Sequence, residues 1–271
     1  MNRPVFLGTM GGPKVGKTHF AATVFDSVHF PPDRVLYFDN HGSTDPFNLP
    51  QWSRQTPWGV KHIPADKPGE LVKELAEVRK RRDRGRTPYD MIVIDDWSEF
   101  AQTDIENRLS DEEDGKIPRH WRDHGEIMRD TARLVHPRVT GAHHLAIFQA
   151  AQLPNPFQAR PRRVEDGVAK YVADTRNTFI QPVLQGGFAT WFPYKMDAVF
   201  YQYFTDVGGK LSFNMKFTPK GDIHVISRWL HLWANNPKLP TDMVNPTWDK
   251  VVALLGCVAQ LEKKVSEEKH D

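Results

Sequence analysis

Residues 8–20 read GTMGGPKVGKTHF, and the reading of this stretch decides the fold. Gly11, Gly16, Lys17 and Thr18 fill the fixed positions of the pattern G-x-x-x-x-G-K-[ST]. Gly12, Pro13, Lys14 and Val15 lie between them, and the small glycines let successive backbone N–H groups curl around phosphate oxygens. Lys17 supplies a mobile positive charge for β and γ phosphates, while the Thr18 hydroxyl is placed to ligate Mg²⁺. The flanks supply the context this mechanism needs. Pro4, Val5, Phe6 and Leu7 form an apolar run suited to a buried strand, and His19 to Val28 space their apolar residues like a helix. Bound phosphates then meet the positive end of that helix.

Working outward, the second nucleotide-site signal is Met91, Ile92, Val93 and Ile94 followed by Asp95 and Asp96. A carboxylate at the C-terminal edge of a parallel strand beside the phosphate loop can hold Mg²⁺ through water, which makes Asp95 the metal candidate. Asp96 is the candidate for orienting or deprotonating an attacking water. Val35 to Phe38 predict another buried strand ending at Asp39, and Leu145 to Phe148 a further one, with Gln149 and Gln152 at or just beyond its end. An amide there can sense a γ-phosphate, because it both donates and accepts; equally, it can satisfy loop backbone.

Between these strands, residues 40–69 are rich in Pro, Trp, Asn and Gly and read as a surface loop. Glu70 to Arg82 form an amphipathic pattern with Leu71, Leu75 and Val78 on one face. That helix runs into RKRRDRGR, ending at Arg86, which suits either a nucleic-acid backbone or a solvated helix end complementing its dipole. Trp97 to Val135 are helical in tendency, interrupted by the acidic stretch SDEEDGKIP. Pro154 to Arg163 follow a strand and so face the ligand side of an open α/β sheet, where Arg160, Arg162 and Arg163 are candidate phosphate contacts. In the final third, Asp197 to Phe204, Leu211 to Thr218 and His224 to Arg228 read as strands separated by glycine turns, an antiparallel extension of a parallel sheet. A short helix, Trp248 to Leu255, and a charged tail from Cys257 complete the expectation: one domain over 1–256 and a tail over 257–271.

Composition narrows the class without choosing a function. At 271 residues the chain can bury a substantial core, and a net charge of +2 is too small to indicate nucleic-acid binding by itself. The single cysteine, Cys257, rules out an internal disulfide and a cysteine-rich zinc site. Adjacent His143 and His144 point to opposite strand faces and make no metal pair. Without a signal core or a membrane-length apolar run, a cytoplasmic protein is expected.

Taken together, GGPKVGKT, VLYFD, MIVIDD, IPRHWRDHGEIMRD, LAIFQAAQ and the late run from KMDAVFYQYF to ISR resemble the RecA-like core of P-loop ATPases, in particular the compact bacteriophage ATPases of the RecA/Rad branch. The resemblance implies a mostly parallel twisted α/β sheet flanked by helices. It further implies Mg²⁺-dependent ATP hydrolysis coupled to single-stranded DNA in phage recombination, annealing or replication, with homo-oligomeric rings or filaments and phage recombination or replication proteins as partners. By position, Lys17 and Thr18 would hold phosphates and Mg²⁺, Asp95 would be the acid of the second strand, Gln149 or its neighbourhood the sensor, and Arg228 an arginine near a nucleotide within or across a subunit boundary. RecA-like proteins usually place a catalytic glutamate just after the second strand, whereas this chain reads DNHG, with Asn40 and His41 there. Asp39 or Asp96 then takes the role, or turnover is slow. Two alternatives follow: an ATP-dependent conformational switch or loader with little hydrolysis, and a small-molecule kinase with Arg160 to Arg163 as its lid.

Overall fold

Strands that carry apolar residues at every position, such as Val35 to Phe38 and Met91 to Ile94, must be covered on both faces, and the computed structural model arranges them so. It describes residues 3–29, 31–39, 60–62, 68–86, 89–110, 117–154, 162–165, 168–171, 178–184 and 188–267. Twelve strands are formed among these: β1 Phe6–Gly11, β2 Val35–Asp39, β3 Val60–His62, β4 Met91–Asp95, β5 His143–Pro154, β6 Arg162–Glu165, β7 Val168–Tyr171, β8 Thr178–Pro182, β9 Ala198–Val207, β10 Lys210–Lys216, β11 Ile226–Ser227 and β12 Asp242–Val244. The helices are α1 Lys17–Ala22, α2 Pro68–Asp83, α3 Trp97–Ser110, α4 Ile117–Leu134, α5 Pro137–Thr140, α6 Phe188–Trp191, α7 Leu230–Asn235 and α8 Trp248–Glu267.

The main sheet runs β12-β10-β9-β1-β5-β4-β2-β3, with β11 on β9 and β8 on β5. From β9 to β3 every neighbouring pair is parallel; β10, β11, β12 and β8 add antiparallel pairs. This is the expected α/β class with its antiparallel C-terminal extension. Alternation along each strand splits the core in two. Val35, Tyr37, Leu7 and Ile147 face a layer built by α1, α7 and α8, while Leu36, Phe38, Met10 and Phe148 face one built by α2, α3 and α4. Among the described residues, no helix is long and apolar enough to cross a membrane.

Several boundaries move relative to expectation, each for a local reason. The first strand runs on to Gly11, and α1 starts at Lys17 rather than His19, giving way at Thr23–Asp26 to a 3₁₀ turn. The supposed loop over 40–69 contains β3, which extends the parallel sheet beyond β2. β5 passes its expected end at Phe148 because Ala150 to Pro154 pair with β8, so the strand leaves the sheet as one arm of an antiparallel pair. Arg162 and Arg163 lie in the β6–β7 pair, not in a loop. Of the strand expected over His224 to Arg228, only Ile226–Ser227 forms. The last helix continues to Glu267, through the expected boundary at Cys257. Its apolar spacing explains this, since Val251, Val252, Leu255 and Val258 are all buried on one face.

Candidate functional site

The C-terminal ends of β1, β5, β4 and β2 bring the candidate residues to one edge of the sheet. Parallel register sets Gly11 beside Gln149 and Asp39 beside Asp95. β5 lies between the strand of the loop and the strand of the acids, so Gln149 stands between the two groups.

Two glycines of the loop are dictated by close approach. A Cβ on Gly11 would lie 2.6 Å from the Gln202 carbonyl oxygen, because β9 runs alongside at that point. Gly16 takes φ +90°, in the left-handed region, and a Cβ there would meet the Phe213 ring at 2.7 Å. Gly12, Pro13, Lys14 and Val15 form the turn between them, and Phe20 N–H closes onto the Gly16 carbonyl at 2.8 Å to begin the helix.

Lys17 is buried, and its ammonium folds over the loop, donating to the Gly12 carbonyl at 2.7 Å and the Gly11 carbonyl at 3.1 Å. It also reaches Gln149 Oε1 at 3.4 Å. Burial lowers the Lys17 pKa, and the charges of Asp96 and Asp95 oppose that shift. Gln149 in turn donates from Nε2 to Asp96 Oδ2 at 2.6 Å. Its backbone N–H donates to Ser98 Oγ at 3.0 Å. Loop, strand end and acid are thus joined through one amide.

Asp95 is buried, accepts from the Tyr37 hydroxyl at 2.8 Å and is bonded by the Thr18 side chain. Burial pushes its pKa up, against the lowering effect of those two bonds. Asp96 is pushed up to about 6, by burial first and by the charge of Asp95 second. Its Oδ1 accepts from Ser98 N–H at 2.7 Å and from Glu99 N–H at 3.4 Å. That is N-cap geometry, so Asp96 starts α3 as well as facing Gln149. Asp39 is buried at the same edge, where its charge adds to the raising of Asp95.

The residues present fit Mg²⁺. The charges of Asp95 and Asp96 act on the Lys17 ammonium, Asp39 lies beside Asp95, and the Thr18 hydroxyl already touches the Asp95 carboxylate. Among the described residues no group of three His, Cys, Asp or Glu could form an all-protein metal cage. Mg²⁺ is commonly held by one or two protein groups, with substrate phosphates and water completing its shell.

Other candidates fall elsewhere. Gln152 is exposed and lies an odd number of residues beyond Gln149, hence on the other face of the β5 arm. This corrects its placement as a sensor beside Gln149. Arg228 is corrected as a contact to the nucleotide of its own chain: it pairs with Asp197 at 2.9 Å, and Asp197 precedes β9 and binds Phe6 N–H at the start of β1. It therefore sits at the sheet edge opposite the loop. His41, with Asn40, and Arg160 lie outside the described residues. His143 and His144 are structural: His143 Nδ1 accepts from Val5 N–H at 3.2 Å and His144 Nε2 meets Thr140 Oγ1 at 2.7 Å.

Three residues escaped the sequence reading. Tyr37 and Ser98 carry the bonds given above, and neither stands out in an apolar strand or at a helix start. Gln202 is fully buried at the level of Gly11, and its Nε2 has no hydrogen-bond partner among the described residues. A lone amide within the aromatic run VFYQYF is the signal that could have found it.

Fold and site together define the class: an α/β protein with a mostly parallel sheet and a phosphate-loop sequence at the end of its first strand. No protein-family model matches the chain, and no curated protein matches it in sequence. Among solved structures, it is similar to the flagellar accessory protein FlaH from Methanocaldococcus jannaschii at 12% identity, over 79% of this chain and 78% of that one, with a TM-score of 0.41. A KaiC-like protein from Pyrococcus horikoshii OT3 is similar at 12% identity, over 78% of this chain and 77% of that one, with a TM-score of 0.41.

Proposed function

We propose that this chain binds ATP with Mg²⁺ and hydrolyses it, acting on single-stranded DNA in phage-type recombination, annealing or replication. One observation carries the nucleotide reading: the Lys17 ammonium sits on the loop carbonyls of Gly11 and Gly12 and is linked through Gln149 to Asp96. The DNA and phage parts are supported by the sequence resemblance.

In this reading the loop amides and Lys17 hold the β and γ phosphates, and Lys17 exchanges its carbonyl partners for phosphate oxygens. Thr18 and Asp95 would hold Mg²⁺, which would supply charge neutralisation on the phosphates. Transfer to water breaks the bond from the γ-phosphorus to the bridging oxygen and forms one to the water oxygen. Asp96, with a carboxyl pKa of about 6, is the proton acceptor or orienting group near neutral pH. Gln149 bridges Asp96 and Lys17, so it registers whether the γ-phosphate is present.

A second reading, a nucleotide-dependent switch with slow turnover, is favoured by one feature of Asp96. One of its oxygens caps α3 and the other accepts from Gln149. Release of phosphate, with and without oligothymidylate, separates the two. Steady release that is absent in Lys17→Ala supports the ATPase. Binding without release supports the switch.

A further inference from the structure

A cavity of about 580 Å³ opens at the edge of the sheet opposite the phosphate loop. Its charged lining comes from five separate segments: Arg3 before β1, Arg82 in the last turn of α2, Arg138 in α5, Lys195 in the turn before β9, and Arg228 after β11. One carboxylate, Asp197, also lines it. Asp197 accepts from Arg3 at 3.3 Å and from Arg228 at 2.9 Å. The Arg82 guanidinium donates to the backbone carbonyl of Arg138. The side chains of Arg138 and Lys195 are exposed and have no ion pair among the described residues. His136, also in the lining, has its pKa lowered, chiefly by burial, and adds no charge near neutral pH.

The five cations outnumber the carboxylates that pair with them, Asp197 and, 3.9 Å from Arg228, Glu262, and a concave wall focuses their field on the space between them. The arrangement is complementary to several phosphates rather than to one. Beyond Arg82 the basic surface continues along RKRRDRGR, where Arg84 and Arg86 are exposed and also lack an ion pair among the described residues. The Arg228 guanidinium is backed by the Trp229 indole at 4.3 Å, which holds one donor plane in place. The volume is of the order that encloses one small ligand, roughly 300–1,000 Å³, so it admits a segment of one strand and not the width of a duplex.

We propose that this basal cavity and the adjoining end of α2 bind the phosphate backbone of a single nucleic-acid strand, at the sheet edge opposite the ATP loop. The proposal rests on the single-strand partner named in the functional reading, and it moves the strand away from the Arg160 to Arg163 segment.

The test is fluorescence anisotropy of a labelled oligothymidylate across a salt series, using the full chain, Arg138→Gln/Lys195→Gln, and the control Arg122→Gln/Arg129→Gln from the exposed face of α4. Each phosphate contact on a single strand contributes about 0.7 to the slope of log affinity against log salt. The basal pair is expected to lose about 1.4 of slope, and on the order of tenfold in affinity at ~0.1 M salt. The control is expected to change neither, and all three proteins should bind ATP alike. If the double variant fails to fold, Lys195→Gln alone should lose about 0.7 of slope. A parent that binds the strand with a slope the basal variants do not alter overturns the surface and leaves the functional reading standing. A parent that binds ATP but no strand overturns both. Saturable binding of tripolyphosphate that depends on Arg138 and Lys195, without strand binding, also overturns the proposal and makes the cavity a small-polyphosphate site.

Discussion

Gln149 donates to Asp96 at 2.6 Å while its carbonyl oxygen stands 3.4 Å from the Lys17 ammonium. One amide is therefore shared between the loop that holds phosphate and the acid beside it. Gln149→Leu removes both contacts without opening a large void. Phosphate release is expected to fall about 10²-fold, with ATP affinity within about threefold of the parent. Unchanged release in a single-turnover assay would remove Gln149 from the mechanism.

Lys17 makes the charge-assisted contacts of the loop. A hydrogen bond to a charged group contributes about 1.5–3 kcal/mol, so Lys17→Ala is expected to weaken Mg-ATP about 10- to 100-fold. Titration calorimetry checks this. Equal affinity in the variant would show that the loop is not the nucleotide site.

Gly16 is held by two constraints at once, a φ of +90° and the Phe213 ring 2.7 Å from where a Cβ would stand. Gly16→Ala is expected to lower the unfolding midpoint by about 3–8 °C, from strain of roughly 1–2 kcal/mol plus the clash. Adding Phe213→Ala to that variant makes room for the methyl group but does not change φ. Relative to Phe213→Ala alone, the glycine substitution should then cost less. A double-mutant cycle in thermal unfolding measures the difference, and strict additivity would mean that the ring plays no part.

Asp96 keeps its proton up to about 6 in the folded chain, against 3.8 for the ordinary carboxyl. Between those values the native state binds more protons than the unfolded one, so this group lowers stability as pH rises. His143 works in the other direction, since burial lowers its pKa from 6.5 to about 4 and stability rises with pH across that interval. Asp96→Asn keeps one oxygen for the cap on α3 and deletes the carboxyl titration, at the cost of the acceptor for Gln149 Nε2, a loss that is the same at every pH in this range. Its stability should therefore rise more steeply than the parent's between about pH 4 and 6 in urea unfolding. Asp96→Ala should in addition lose about 1 kcal/mol for the missing cap. Parallel pH profiles for Asp96→Asn and the parent would contradict the raised pKa.

How far the sequence alone could be read depends on what each residue has to do locally. The loop, β2, β4 and α2 were legible because glycine spacing, unbroken apolar runs and helical periodicity each impose one local structure. The arm of β5 was not, since AAQLP carries no turn signal and its pairing partner lies more than twenty residues away. Arg228 was misplaced because chain order does not reveal which end of a strand a residue reaches. Asp96 was half legible: an acid after a strand suggests a metal or water site, yet Asp96 with Glu99 three residues on is also a helix-start pattern. Both readings use the same carboxylate.

The end of the chain offers a simpler check. Val258 is buried in the core layer that α8 shares with α1 and α7, and the Trp229 indole donates to Glu262 at 3.0 Å. Stopping the chain after Cys257 removes both and should cost about 3 kcal/mol in denaturant unfolding. A truncated chain as stable as the parent would show that the tail is dispensable to the fold.

Asp197 stitches the start of β1 to β9, while Gly11 ends β1 at the loop. The six residues between them span about 20 Å, roughly twice the Debye length at physiological salt. Acids are gathered at one end of that distance and cations at the other, like the poles of a battery laid along the strands. Solvent-exposed charges that far apart are largely screened from one another, whereas the buried acids are screened less. β1 joins the two poles directly, through the backbone that Asp197 anchors at its first residue.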